Sequence, residues 1–285
     1  MAGPTILLTG GTGKTGRRIA ARLAREDCWF RLASRSGESI GRSDSVRFDW
    51  MDESSYRDAL IGISAIYLVA PANVTEPLAT MRPLLERALT DGARRFVLLS
   101  ASSIEEDGPM MGKVHAFLRQ NAPEWAVLRP TWFMQNFSEQ QHMPTIRNER
   151  RIYTATADGR VPFVDADDIA SVGVRALMTD APLNRDIIIT GPNALSYGEV
   201  ATIIGRAIGQ TVEHVRLTES ELVQRLEAQG MPDAYAEILA AMDTKISRGS
   251  EDRVTDEVEA ITGRRPKDLQ TFADEVRGGW INRSR

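Results

Sequence analysis

Short apolar runs alternate with helical stretches through the first half of the chain. Six runs are rich in β-branched and aliphatic residues, at positions 5–9, 29–34, 46–48, 65–70, 95–100 and 125–128. Between the first two runs, Ile19, Ala20, Leu23 and Ala24 recur at helical spacing, which gives a helix one apolar face. The alternation predicts βαβ units and an α/β fold of the Rossmann type, with a doubly wound parallel sheet.

The pattern changes after Pro130. Residues 161–165 and 187–190 are two further predicted strands, and from Ser196 onward the chain is mostly amphipathic helix. We therefore predict a sheet domain over residues 1–150 and a smaller, mostly helical part over residues 151–285 that shares strands with the sheet.

Composition and charge exclude several classes of function. The 285 residues carry 35 basic and 39 acidic side chains and no one-signed basic stretch, so we expect no nucleic-acid partner. A single cysteine, Cys28, and three histidines provide neither a disulfide nor a metal-binding cluster, so no metal is expected. No apolar run approaches the roughly 20 residues of a membrane span. We expect a cytoplasmic protein without a membrane partner.

A glycine-rich run, GGTGKTG at residues 10–16, separates the first strand from the first helix. Glycines there allow a tight turn and let backbone N–H groups approach a pyrophosphate. The run also resembles the end of a nucleoside-triphosphate P-loop, but that motif needs a glycine where this chain has Leu8. The context predicts dinucleotide binding by Gly10, Thr12, Gly13 and Thr15, while Lys14 lies either near the phosphates or in solvent.

The end of the second strand selects the dinucleotide. An acid at this position would bind a free ribose 2′-hydroxyl, whereas a basic residue accommodates a 2′-phosphate. The chain has Ser34 and Arg35 there and no acid, which predicts NADP(H) as the cofactor.

Two more strand ends are predicted to line the cofactor, since ligands in open α/β sheets lie across the carboxyl ends of the strands. The candidates are Asp49, Trp50, Val69, Ala70 and Pro71. Asp49 either accepts a hydrogen bond from the adenine amino group or caps the helix that starts near position 52.

Several motifs together resemble one protein family. They are GGTGKT at 10–15, ASRS at 33–36, FDW at 48–50, YLVAP at 67–71, RFVLLSASS at 95–103, LRPTWFM at 128–134 and VPFV at 161–164. The chain resembles the NmrA-like atypical short-chain dehydrogenases/reductases over nearly its whole length, and within them the ergot-alkaloid clavine dehydrogenases. The resemblance implies an NADP-binding Rossmann domain followed by a substrate-binding part. It also implies hydride transfer from NADPH to a cyclic imine or iminium in specialised metabolism.

The catalytic pair Tyr-x-x-x-Lys of the larger superfamily is absent, because Pro109 stands four residues before Lys113. Hydride addition to a C=N⁺ carbon gives a neutral amine and needs no acid from the protein. Ser102 is a candidate catalytic residue, and His115 matches a histidine of the clavine dehydrogenases. The candidate substrate-binding residues are Ser103, Trp132, Phe133, Met134, Phe163 and Asp165, of which Asp165 stands where those relatives carry a serine.

The predicted function is therefore an NADPH-dependent reductase of a flat, aromatic small molecule, and a homodimer is left open. Two alternatives use the same fold. One is an NADPH quinone or dye reductase, and the other is a regulator that senses NADP(H) without turning it over. A cyclase or isomerase that keeps NADP(H) as a scaffold is a further, lower-ranked alternative.

Overall fold

The structure is a computed structural model that describes residues 5–37, 44–72 and 74–281. Its elements follow in the order β1 (Ile6–Thr9), α1 (Gly16–Arg25), β2 (Phe30–Ser34), β3 (Asp44–Arg47), α2 (Tyr56–Leu60), β4 (Ala65–Val69), α3 (Pro77–Thr90), β5 (Arg95–Leu99), α4 (Met111–Asn121), β6 (Glu124–Pro130), α5 (Gln135–Ser138), α6 (Met143–Glu149), β7 (Arg151–Thr154), β8 (Arg160–Val161), α7 (Ala166–Met178), β9 (Arg185–Ile189), β10 (Leu195–Ser196), α8 (Tyr197–Ile208), β11 (Glu213–Arg216), α9 (Glu219–Ala228), α10 (Asp233–Ser247), α11 (Glu257–Thr262) and α12 (Leu269–Val276). Two 3₁₀ turns lie at Glu53–Ser55 and Arg277–Gly279.

The chain forms two compact units. The first contains Met1–Pro130, Ala166–Ile189 and Ala260–Gly263, and the second contains Thr131–Asp165, Thr190–Glu259 and Arg264–Arg285. The division differs from the predicted boundary at residue 150, which falls inside the second unit. Pro130 is the last residue of β6, and the chain leaves the sheet there.

The first unit is built on one seven-stranded sheet in the order β3-β2-β1-β4-β5-β6-β9, with every neighbouring pair parallel. The order reverses between β1 and β4, which creates a crevice at the carboxyl ends of these strands. The predicted Rossmann-type doubly wound sheet is confirmed. Residues 187–190, predicted as a late strand, belong largely to β9 at the edge of this sheet.

Helices cover both faces of the sheet in the first unit. On one face, Met81 and Leu84 of α3 and Val114 of α4 are fully buried in a cluster with Leu7 of β1. On the other face α7 packs against α1, and Gly173 leaves room for the Ile19 side chain. The i, i+4 spacing of Ile19 and Leu23 explains why α1 buries one face.

The second unit combines helices with two short strand pairs, β10 with β8 and β11 with β7. Ser196 and Thr218 are the N-cap residues of α8 and α9, and each exchanges reciprocal capping hydrogen bonds with the glutamate three residues later. The core of this unit surrounds Trp280, whose indole Nε1 donates to the Phe137 carbonyl at 2.7 Å.

Candidate functional site

The glycine run forms a tight turn between β1 and α1. Gly10 has a φ of +66°, and a Cβ there would lie 2.9 Å from the Val69 Cβ. The Gly13 N–H donates to the Gly10 carbonyl at 2.9 Å, and a Cβ on Gly16 would collide with the same carbonyl. The turn therefore requires glycine at both ends and brings α1 close to the strand.

A groove of about 560 Å³ lies beside this turn, where β1, β2 and β4 end. Its lining residues are Gly10, Thr12, Gly13, Ala33, Ser34, Arg35, Phe48, Asp49, Trp50, Met51, Val69, Ala70, Pro71 and Ala72. Ten of the twelve predicted cofactor-binding residues line this groove, the exceptions being Lys14 and Thr15. Ala33, Phe48, Met51 and Ala72 line it as well and were not predicted.

Trp50 is held in one orientation at the wall of the groove. Its Nε1 donates to the Val69 carbonyl at 3.1 Å, and its carbonyl accepts from the Tyr56 hydroxyl at 2.7 Å. The ring of Phe48 meets the indole edge-on, with centroids 4.9 Å apart. The groove thus has a fixed aromatic surface against which a flat ring can stack.

Asp49 does not cap a helix. Its Oδ1 accepts from the backbone N–H of Met51 at 3.0 Å, whereas the following 3₁₀ turn is capped by Asp52, which accepts from the Ser54 N–H. Of the two roles predicted for Asp49, capping is wrong, and the carboxylate lies in the wall of the groove.

Arg35 follows the last residue of β2 and is exposed at the rim of the groove. Within residues 5–37, 44–72 and 74–281, no side chain forms an ion pair or hydrogen bond with its guanidinium. The neighbouring Ser34 Oγ accepts from the Gly37 N–H at 3.1 Å. An exposed arginine without a protein partner beside a groove is suited to binding an anionic group of a ligand.

Thr15 and Lys14 lie outside the groove. Thr15 is buried, and its Oγ1 accepts from the Tyr67 hydroxyl at 2.9 Å, so the side chain joins α1 to β4. Burial raises the pKa of Tyr67, which stays protonated as a donor. Lys14 contributes its carbonyl to a hydrogen bond from Arg18. The structure therefore corrects the prediction for Thr15, whose hydroxyl is used inside the protein.

The two predicted catalytic residues are both buried. Ser102 is completely buried after β5, and its N–H donates to the Pro130 carbonyl at 2.9 Å, whereas Ser103 beside it is exposed. His115 is 3% exposed, and its ring centroid lies 5.4 Å from that of Trp125 at the beginning of β6. Burial lowers the pKa of His115. The structure places His115 in the packing of α4 and not in the groove.

The predicted substrate-binding residues of the second unit fall into two groups. Trp132 and Phe133 are half-buried, whereas Met134 and Phe163 are 1% and 2% exposed within the core. The backbone of this segment pairs with residues 162–164, since the Met134 N–H donates to the Val164 carbonyl at 2.9 Å. Met134 and Phe163 are thus packing residues, which corrects their predicted role.

Asp165 is 1% exposed and has its polar partners inside the second unit. Its Oδ1 accepts from Gln135 Nε2 at 2.8 Å, and its Oδ2 lies 3.1 Å from Lys267 Nζ. The carboxylate that was predicted to contact substrate is therefore committed to an ion pair. Sequence reasoning missed Lys267, because nothing local signals a partner that far along the chain.

Arg129 is a second residue that sequence reasoning missed. It lies inside the apolar strand β6, yet its guanidinium contacts two carboxylates, those of Glu105 and Asp186. An arginine that follows the apolar run of a strand, directly before its last residue, is the signal that could have found it, because a buried charge requires partners.

Among residues 5–37, 44–72 and 74–281, no helix is long and apolar enough to cross a membrane. These residues also contain no group of histidine, cysteine or acidic side chains that could hold a metal ion.

Comparison with known proteins assigns the family. The model of the NmrA-like family matches residues 3–273, and the chain belongs to this family. It is 46% identical to the "Uncharacterized oxidoreductase YesF" of Bacillus subtilis over 97% of this chain and 96% of that protein. It is 39% identical to the agroclavine dehydrogenase of Claviceps fusiformis over 98% of this chain and 99% of that protein.

Solved structures share the fold at low sequence identity. The NADPH-dependent quinone oxidoreductase of Escherichia coli, complexed with NADPH, superposes with a TM-score of 0.80 at 18% identity. The match covers 95% of this chain and 99% of that one. Similarity at this level of identity supports the fold.

Proposed function

We propose that this protein is an NADPH-dependent oxidoreductase that reduces a flat small molecule. The observation that carries the proposal is Arg35, an exposed arginine without a partner among the described residues, at the rim of a groove that begins at a glycine turn. No acid stands at the end of β2 to select a free 2′-hydroxyl. Relatives named as oxidoreductases and dehydrogenases support the class of reaction.

The residues of the groove fit the parts of NADP(H). Backbone N–H groups of the glycine turn other than that of Gly13, which donates to Gly10, would bind the pyrophosphate, because the glycines allow close approach. Arg35 would bind the 2′-phosphate, and Trp50 with Asp49 would bind the adenine. The bound cofactor would supply the hydride. The first unit is accordingly proposed as the cofactor-binding part and the second as the substrate-binding part.

The proposed acceptor is a cyclic imine or iminium of the alkaloid type. The similarity to agroclavine dehydrogenase supports this class. The absence of a Tyr-x-x-x-Lys pair agrees with it, because Pro109 replaces the tyrosine and Lys113 Nζ lies 3.0 Å from Glu76. Trp132 and Phe133 are the half-buried aromatic residues proposed to contact the acceptor, with orientation supplying most of the rate enhancement.

A neutral acceptor such as a quinone is the second candidate. Asp165 is the one acid among the predicted substrate-binding residues, and it is 1% exposed and paired with Lys267, which also contacts Glu275 at 2.6 Å. Because this carboxylate is buried and already paired, an iminium would gain little from it, and the faces of Trp132 and Phe133 would attract the cation. The burial of Asp165 favours a neutral acceptor over a charged one, whereas the similarity to agroclavine dehydrogenase favours the iminium.

A kinetic comparison tests the proposal. Purified protein is assayed for loss of NADPH absorbance with cyclic imines, N-alkyl iminium salts, quinones and azo dyes. Turnover of imines with NADPH and not NADH is expected. Turnover of quinones alone would select the second candidate, and no turnover with any acceptor would contradict the oxidoreductase proposal.

The role of Arg35 is tested separately. Arg35→Ala should raise the Kd for NADPH by about tenfold or more, because a charge-assisted hydrogen bond contributes about 1.5–3 kcal/mol, and should leave NADH binding unchanged. Arg57→Ala, which removes an exposed arginine that does not line the groove, is the matched control. Equal losses for NADPH and NADH in Arg35→Ala would show that this residue does not bind the 2′-phosphate.

A further inference from the structure

Arg129 joins an edge strand of the sheet to the loop that follows β5. Its side chain is only 4% exposed. Nη1 donates to Asp186 Oδ2 in β9 at 2.6 Å, while Nη2 donates to Glu105 Oε1 at 2.6 Å and to the Ser102 carbonyl at 2.9 Å. One buried guanidinium therefore contacts β9 on one side and residues 102–105 of the loop on the other.

Charge balance alone does not require both carboxylates. Asp186 would neutralise the guanidinium by itself, and its pKa is lowered because hydrogen bonding and charge from Arg129 outweigh the effect of burial. Glu105, by contrast, is 71% exposed and would be fully hydrated without this contact. The contact with Glu105 is therefore not needed to neutralise the buried guanidinium, and its main effect is to hold the loop.

The loop at residues 102–112 contains two residues in a strained backbone conformation. Asp107 and Met110 have φ values of 59° and 56°, and Met110 has a ψ of −123°, a region that non-glycine residues rarely adopt. Each such residue is strained by about 1–3 kcal/mol. The Glu105 carbonyl accepts from the Gly108 N–H and lies so close to Gly112 that a Cβ there would collide with it. Glu105 therefore joins the strained turn to β6 through its side chain, in addition to the backbone bonds of Ser102 with Arg129 and Pro130.

The position of the loop connects it with function. It begins at the carboxyl end of β5, at the edge of the sheet where ligands of such folds bind. It carries Ser102 and the exposed Ser103, and it ends at the first turn of α4. Strained backbone segments occur preferentially at such functional positions.

We propose that Arg129 is a positioning residue, which holds loop 102–112 in its working conformation through Glu105 and the Ser102 carbonyl. Its contact with Asp186 serves the stability of the sheet. The inference rests on the proposed reductase function, since the loop is taken to act during reduction.

Variants of the two carboxylates separate these roles better than a change of Arg129, whose removal would leave a cavity in the sheet. Glu105→Ala removes the loop contact, Glu105→Gln retains an oxygen that can accept from the guanidinium, and Asp186→Asn alters only the strand side.

Glu105→Ala should lower kcat by about tenfold or more, since small misplacements of a catalytic loop have effects of this size. The KM for NADPH should stay within about twofold because Glu105 does not line the groove. Glu105→Gln should have a kcat close to that of the wild-type protein. Asp186→Asn should lower the midpoint of thermal unfolding without changing kcat.

Hydrogen exchange of peptides covering residues 102–112 gives a readout that needs no turnover. Exchange should be faster in Glu105→Ala than in the unchanged protein or in Asp186→Asn. An unchanged kcat or unchanged exchange in Glu105→Ala would overturn the proposal, and so would an equal loss of kcat in Asp186→Asn. If the unchanged protein reduces no acceptor, the reductase proposal fails, while the exchange comparison still decides whether Glu105 holds the loop.

Discussion

Asp243 offers a quantitative test of the electrostatics of the second unit. The residue lies on α10, is 8% exposed, and accepts one hydrogen bond at 3.0 Å from the Ala155 N–H. Burial raises its pKa from 3.8 to about 6. Because the unfolded chain releases this proton at lower pH than the folded chain, stability decreases as pH rises from about 4 and levels off above about 6. A pKa difference of about 2 lowers the free energy of unfolding by about 3 kcal/mol at pH values above that range.

Asp243→Asn removes this penalty and keeps an oxygen that can accept from Ala155. Near pH 8 the variant should be more stable than the unchanged protein by up to about 3 kcal/mol, and near pH 4 the difference should be close to zero. Urea unfolding at both pH values measures the difference. Glu237→Gln, which changes an exposed acid on the same helix, is the matched control. A stability difference that does not change between the two pH values would refute the assignment of an ionising, buried Asp243.

Three other substitutions test the packing described above. Gly16→Ala should lower stability by about 1–3 kcal/mol and weaken NADPH binding, because the added methyl group would overlap the backbone of the glycine turn, and thermal unfolding with a fluorescence titration measures both effects. Trp50→Phe should raise the Kd for NADPH about fivefold, as measured in the same titration, because it removes a hydrogen bond that orients the ring, worth about 1 kcal/mol. Lys267→Met should destabilise the protein by about 2 kcal/mol in urea unfolding, since it removes a partner of a buried carboxylate. Adding Asp165→Asn should recover part of that loss, and Lys245→Met, at an exposed lysine, should have little effect.

The sheet and the groove could be predicted because both depend on local pattern and on a rule of topology. The apolar run at 95–100 became β5, Arg95–Leu99, and the run at 65–70 became β4, Ala65–Val69. Once the strands are placed, parallel pairing brings their carboxyl ends to one edge of the sheet. Residues that follow different strands, such as Arg35 and Pro71, therefore line one groove although they are far apart in sequence.

The incorrect site predictions share a different cause. Thr15 and Asp165 are polar residues whose roles depend on partners distant in sequence, Tyr67 for Thr15 and Lys267 for Asp165. A single sequence shows that a polar side chain is present but not whether the fold buries it. Burial converts a candidate ligand-binding group into an internal hydrogen bond or ion pair, because an unpaired buried polar group is unfavourable.

The pH dependence of turnover can distinguish between the candidate acceptors. Trp132 and Phe133, the half-buried aromatic residues proposed to contact the acceptor, carry no ionisable side chain. A cyclic imine would then have to be protonated in solution before it accepts hydride. Its kcat/KM should fall about tenfold for each pH unit above the pKa of the imine. An N-alkyl iminium carries its charge permanently and should show no such decrease. A level profile for the imine would instead require a protein acid that protonates it.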